Sequence, residues 1–278
     1  MPAPRQDTRG IVNAADLLSR VRFRRHEPAP ELRPYLEHYW LIDWDLPQPY
    51  ATHVVPHPSV NIVFQRYARQ EPFAEVAGVG LDLFSQEITA VGRVCGVQFR
   101  PGGFRPFAPQ APVAEWTGRR LALPAVFPDP AHAPALAGAL DAVLAPDDDH
   151  VRVAALDALL LGLGPHGRGP EPDPQADLAM TLVDRIRRDR SIRRVGDFAR
   201  DQELPVRSLQ RLFAAYVGVG PKWIILRYRI HEALERAEDE RAVDWAGLAA
   251  DLGYADQAHL VRDFTATIGV PPTVHAAH

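Results

Sequence analysis

PVRSLQRLFAAYVGVGPKWIILRY, residues 205–228, decides how the chain is read. Leu209, Leu212, Phe213, Tyr216 and Val217 recur at i, i+3, i+4, i+7 and i+8, the spacing of one helix face. Arg207, Ser208, Gln210 and Arg211 fall on the opposite face, and no Asp or Glu occurs between Pro205 and Arg229. Gly218 is placed to end the helix in the left-handed conformation, and Pro221 to open the next one. The spacing therefore predicts a short helix buried on one side and presenting Arg and Gln on the other. Arg donates a bidentate pair to guanine and Gln bonds the adenine edge, so this face has the chemistry to read a DNA major groove. One such helix is equally an ordinary solvated surface helix, so a second occurrence matters.

The second occurrence is LVRDFTATIGVPP at 260–272, which aligns with LQRLFAAYVGVGP at 209–221 at a constant offset. Leu209 matches Leu260, Arg211 matches Arg262, Phe213 matches Phe264, Val217 matches Ile268, Gly218 matches Gly269 and Pro221 matches Pro272. Upstream, Phe198 and Ala199 match Leu248 and Ala249 with a one-residue slip that a loop absorbs. Each unit is a short helix, a turn, a longer helix with an outward Arg, and a Gly-x-x-Pro stop. Two such units are two helix-turn-helix motifs.

At these residues the segment from about Gln175 to the end resembles the DNA-binding domain of AraC/XylS-type transcription regulators. The resemblance rests on S-L-Q-R-L-F at 208–213, G-V-G-P at 218–221 and R-Y-R-I-H-E-A at 227–233. It rests also on L-A-x-x-x-G-Y at 248–254 and D-Q-A-H-L-x-R-x-F at 256–264. It implies base contacts from Arg207, Ser208, Gln210 and Arg211 in the first recognition helix, and from Gln257, His259 and Arg262 in the second. Ala258 and Val261 stand where polar residues are common in the family, and Asp256 and Asp263 flank them, so the first helix is expected to dominate specificity. The resemblance further implies a cupin-like sensor for a small-molecule effector, a homodimer, double-stranded DNA as partner, RNA polymerase as a further partner of an activator, no cofactor and no catalysis.

Composition sets the frame. The chain has 278 residues, enough for two domains, and is 46% hydrophobic, enough for real cores. The lone Cys95 excludes an internal disulfide and a multi-Cys zinc site, and reads as a buried small residue in an apolar strand. No apolar run is long enough to span a bilayer and the first thirty residues lack a signal core, so a cytoplasmic location is expected. Net charge is −4 and the segment from Gln175 is about neutral, so DNA binding has to rest on local patches. The candidates are the face of 205–229 and the cluster Arg187, Arg188, Arg190, Arg193 and Arg194.

The first half differs in character. His38–Leu46, Val60–Phe64, Val76–Val79 and Val94–Phe99 read as strands separated by Pro and Gly turns. Alternation puts Trp40, Ile42, Trp44 and Leu46 on one side of the first. Trp40, Trp44, Phe64 and Phe99 are candidates to line a ligand pocket, or else to fill a small barrel. The expected fold class is α+β: an N-terminal cupin-like β-barrel with trailing helices, then an all-α domain with two helix-turn-helix motifs. The expected division is 1–163 for sensor and dimerisation, with helices in 131–163, then a Gly/Pro-rich linker at 164–174, then 175–278 for DNA binding. Asp149 is the expected cap of the helix carrying Leu156, Leu159, Leu160 and Leu163, whose apolar face seeks a partner or packs back on the barrel. In the first helix after the linker, Leu178, Leu182 and Ile186 are expected inward.

One reading of another class is a metal-dependent cupin-type enzyme with a helical tail. It needs His53 and His57 in one shell with a carboxylate, but their spacing does not match the usual cupin metal pattern, so no metal site is assigned. A scaffold that has lost DNA binding is a third, set against the intact Arg and Gln faces.

Overall fold

The computed structural model describes residues 10–164, 169–239 and 243–272, with the side chains of 237–239 outside that description. Expectations for 1–9, 165–168, 240–242 and 273–278 therefore lie outside the described residues. In chain order the first half contains β1 (Ile11–Val12), α1 (Ala14–Arg20), β2 (Val21–His26), β3 (Leu36–Val54), β4 (Asn61–Tyr67), β5 (Phe73–Ala77), β6 (Phe84–Phe99) and β7 (Arg120–Ala122). Short helices α2 (Leu123–Val126), α3 (Ala133–Leu136) and α4 (Ala139–Leu144) lead to α5 (Asp149–Gly162). The strands form one antiparallel sheet in the order β1-β3-β6-β4-β5-β7, with β2 also on β3. Among the described residues no pairing joins its ends, so the expected barrel is an open sheet.

Two long strands, β3 and β6, form its spine. On β3, Tyr39 and Leu41 are fully buried in the main core with Phe64, Cys95 and Phe99. Trp40, Ile42, Trp44 and Leu46 share the other face, as alternation requires. The cross-strand partners of Trp40 and Trp44 are Gly96 and Gly92. A Cβ on either glycine would stand 2.0 Å from the indole above it, so each ring lies flat on a bare backbone. Phe64 and Phe99 are 0% exposed on the opposite face from these tryptophans, which corrects the expectation of one four-residue lining: both phenylalanines fill the core. Cys95 is buried there too, and burial pushes its thiol up to about 11.

The helices after β7 cover the core face. Leu156, Leu159, Leu160 and Leu163 are buried with Val143, Leu144 and the sheet, so of the two outcomes expected for the apolar face of α5 it packs back on its own chain. Tyr39 donates to Asp157 at 2.7 Å, pinning α5 to β3. The cap of α5 is Asp148, which accepts from the His150 amide, and not Asp149. Asp149 instead pairs with Arg24 and Arg22. Beside it Asp43 accepts from Arg24, Arg93 and the 1% exposed Arg152, tying β2, β3, β6 and α5 together.

The second half contains α6 (Pro174–Arg188), α7 (Val195–Asp201), α8 (Val206–Tyr216), α9 (Pro221–Asp239), α10 (Trp245–Asp251) and α11 (Gln257–Ile268). Asp173 caps α6 by accepting from the Gln175 and Ala176 amides. Its buried stripe is Ala176, Ala179, Met180, Leu182, Val183 and Ile186, while Leu178 is exposed, because the stripe turns toward the sheet domain. Asp184 pairs with Arg100 at 2.8 Å and Arg187 with Glu37 at 2.8 Å, so α6 is stitched to the first half.

Candidate nucleic-acid interface

The two helix pairs α7–α8 and α10–α11 have the same internal construction. Leu204 N bonds Ala199 O at 2.9 Å and Tyr254 N bonds Ala249 O at 2.8 Å, closing the same turn fifty positions apart in sequence. The turn residue with positive φ is Glu203 in one copy and Gly253 in the other. The second copy then takes one extra residue before its helix, which starts after Asp256 where the first starts after Pro205. Both recognition helices run into a left-handed glycine, Gly218 at φ 94° and Gly269 at φ 89°.

On α8, Leu209, Leu212 and Phe213 are buried. Arg207, Gln210 and Arg211 are exposed and Ser208 is half-buried. On α11, Leu260, Phe264 and Ile268 are buried, and Gln257, Ala258 and Arg262 are exposed. Asp256 caps α11 by accepting from the His259 amide at 2.8 Å. His259 is held from the side: its Nε2 lies 3.7 Å from Asp263 and its ring meets Tyr254 edge-on at 5.1 Å. The exposed polar face of α8 thus carries two free-standing arginines, while α11 carries one beside an acid.

The positive surface is smaller than the sequence suggests. Arg227 and Arg229 belong to the acid-free stretch, but both turn inward. Arg227 is 6% exposed, stacks on Trp223 at 4.4 Å and donates to Leu81 O at 2.8 Å. Burial lowers it to about 10. Arg229 donates to Arg193 O and lies over Tyr254. Exposed cations of that stretch are Arg207, Arg211 and Lys222. Of the cluster expected at 187–194, Arg187 is committed to Glu37 and Asp184 and Arg190 to Glu232, while Arg188 stays exposed at 4.0 Å from Asp184. No pattern in the sequence distinguishes these arginines from free ones, because Glu37 lies 150 positions from Arg187.

The sheet half and the helical half meet along α8 and α9. Thr117 donates to Gly218 O at 2.8 Å, Arg105 lies over Tyr216, and His231 Nε2 is 3.3 Å from Pro56 O. His57 sits at this seam, edge-on to Tyr228 and His231, with Nδ1 2.8 Å from Ser59. His53 is hydrogen-bonded to Ser85 on β6. The two histidines therefore serve a seam and a strand pair. Among the described residues no three His, Cys, Asp or Glu side chains converge as a metal site, and no helix is long and apolar enough to cross a membrane.

Residues 198–277 match the family described as a helix-turn-helix domain, and residues 24–122 match a domain of unknown function, DUF6597. No curated protein matches. Among solved structures, the chain is similar to ToxT from Vibrio cholerae. An apo single-residue variant from strain SCE256 matches at 11% identity and TM-score 0.41, over 91% of this chain and 99% of that one. Unsaturated fatty acid bound wild-type ToxT matches at 9% identity and TM-score 0.39, over 98% and 96%.

Proposed function

On the premise that the C-terminal part of the chain is a helix-turn-helix domain of the AraC type, we propose that this protein is a sequence-specific DNA-binding transcription regulator that reads two adjacent major grooves. The supporting observation is the duplicated motif: two helices with matching caps, turns and buried stripes, each presenting polar side chains outward. Recognition helices about 34 Å apart enter successive major grooves on one side of the duplex. Arg207, Ser208, Gln210 and Arg211 are assigned to one half-site, and Gln257, His259 and Arg262 to the other. The first half-site dominates, because α8 has no acid on its polar face while Asp263 holds His259 on α11.

The test is binding of the full-length protein to genomic DNA fragments with salt titrated upward. Selective binding that weakens steeply with salt supports the reading. Arg207→Ala or Arg211→Ala is then expected to cost about 1–3 kcal/mol and to relax selectivity at one base pair. Intact site binding in both variants sinks the assignment.

Control by a small molecule is the second part of the proposal. The sheet face around Trp40 is the surface assigned to it: Trp40 is half-buried over Gly96 with Asn61 beside it, while Trp44 is packed in a small core with Val63 and Ile88. An effector shifts DNA affinity only by its differential affinity for two states of the chain. A metabolite fraction series that never moves the DNA-binding curve removes this part.

A further inference from the structure

The two helix-turn-helix motifs are joined by more than α9. The loop at 189–194, which closes α6 and precedes α7, reaches from the first motif onto the second. Asp189 stiffens it by accepting from the Ser191 amide at 2.9 Å and hydroxyl at 2.6 Å. Arg190 forms an ion pair with Glu232 on α9 and donates to Arg187 O at 3.0 Å. Arg193 lies across Gly253, where a Cβ would stand 2.5 Å from its Nε and 2.6 Å from its Cδ. Its Nη2 points at Ala250 O, 3.5 Å away, at the negative end of α10. Arg229 closes the circuit from below by donating to Arg193 O at 3.4 Å. Under the loop, Ile186, Ile192 and Ile225 from the first motif's side and Leu252 from the second line one narrow cleft.

We propose that this loop is a brace that sets the angle and separation of the two recognition helices, with Arg193 as the positioning residue that determines half-site spacing. The inference rests on the reading of the chain as a two-groove DNA reader. A single connecting helix leaves a bending and a twisting freedom between the motifs. A second strut, attached at the C-terminus of α10, removes both. Gly253 is required for it, since any side chain there displaces the arginine. A phosphate-binding role is the rival for an exposed arginine beside a recognition domain, and the two roles differ in what spacing does.

Inserting one base pair between half-sites moves the distal one by about 3.4 Å and turns it by about 34°. A braced reader cannot follow. The experiment uses the full chain on the selected site and on duplexes with one base pair added or removed between half-sites, comparing the parent with Arg193→Ala and Arg193→Lys. The parent is expected to lose about tenfold in affinity for either altered spacing. Arg193→Ala is expected to bind the native spacing within about threefold of the parent and to lose most of the spacing penalty. Arg193→Lys keeps the stem over Gly253 and the cation at α10, and is expected to restore part of the penalty. A full spacing penalty in Arg193→Ala overturns the brace. So does equal weakening at all spacings with a shallower salt slope, which makes Arg193 a phosphate contact. If the parent selects no DNA at all, the regulator reading itself fails, an outcome distinct from either.

Discussion

Glu203 carries a side chain at φ 54°, where the corresponding residue of the second motif is Gly253 at φ 74°. The left-handed region brings Cβ against the following carbonyl and costs about 1–2 kcal/mol for an L side chain. Glycine escapes that clash but gives up more chain entropy on folding. Glu203 is exposed. Glu203→Gly is therefore expected to stabilise the protein by about 0.5–1 kcal/mol, raising the urea midpoint with an unchanged slope. A lowered midpoint contradicts this account of the turn. At this scale the sequence is only partly legible. Its periodicity assigns Leu209, Phe213, Leu260 and Phe264 inward, as found, because a 3.6-residue repeat leaves those positions one destination. It does not tell Arg207 from Arg227. Which side of α9 is covered depends on Leu81, far away in the chain, and no local pattern encodes that.

Elements are held by connections of two kinds. Helices α8 and α11 announce themselves through caps and stripes, and the repeat makes them legible together. The sheet is less legible: β3 to β6 are read in part, β1, β2 and β7 are not, β3 continues past Leu46 through Pro47 and Pro49 with a register shift, and its openness depends on pairings that no single strand reveals. The ion cluster that binds strands to α5 was not legible, since Asp43, Arg93 and Arg152 each look like ordinary surface charges in sequence. Burial opposes ionisation of Asp43, yet hydrogen bonds from Arg152, Arg24 and Arg93 overcome it and hold the carboxyl at about 2. A carboxylate depressed from about 3.9 contributes stability that is complete above that value and lost as pH falls toward 2. The shift corresponds to roughly 2–3 kcal/mol. Asp43→Asn removes the shared negative charge and puts an NH2 donor where one acceptor oxygen stood, leaving Asp149 at 3.5 Å as the ion-pair partner of the buried Arg152. Loss of about 3 kcal/mol at neutral pH is expected, with a flatter fall in stability between about pH 4 and pH 2 than the parent shows. Denaturant unfolding across that pH range measures both. A variant as stable as the parent, with the same acid limb, removes the cluster from the account.

Across the whole molecule, besides the small core on the outer sheet face around Trp44 and Val63, the apolar interior divides at α9, and not at the junction between the sheet and the helical half. Ile224, Ile225 and Tyr228 on the first part of α9 join the core that runs through α8, α7 and α6 into the sheet. Ile230, Ala233 and Leu234 on the second part join a separate core with α10 and α11. Among the described residues that smaller core reaches the sheet domain through buried Val55, with Val12 and Leu83 packed at its margin. The first motif is thus continuous with the sheet domain, and the second hangs on a helix, a few apolar contacts and the 189–194 brace. A core of that size opens at a lower free energy than the global transition. Native-state hydrogen exchange should therefore show the amides of Leu260 and Phe264 exchanging through a sub-global opening, while those of Leu209 and Phe213 exchange only with global unfolding. Equal protection in α8 and α11 contradicts the division. The expected difference has a consequence for binding. A second motif that samples open arrangements pays an ordering cost when it docks, so its half-site adds less to affinity than its contacts alone would give. The weaker reading proposed for α11 then follows from where its core ends as well as from the acids on its surface.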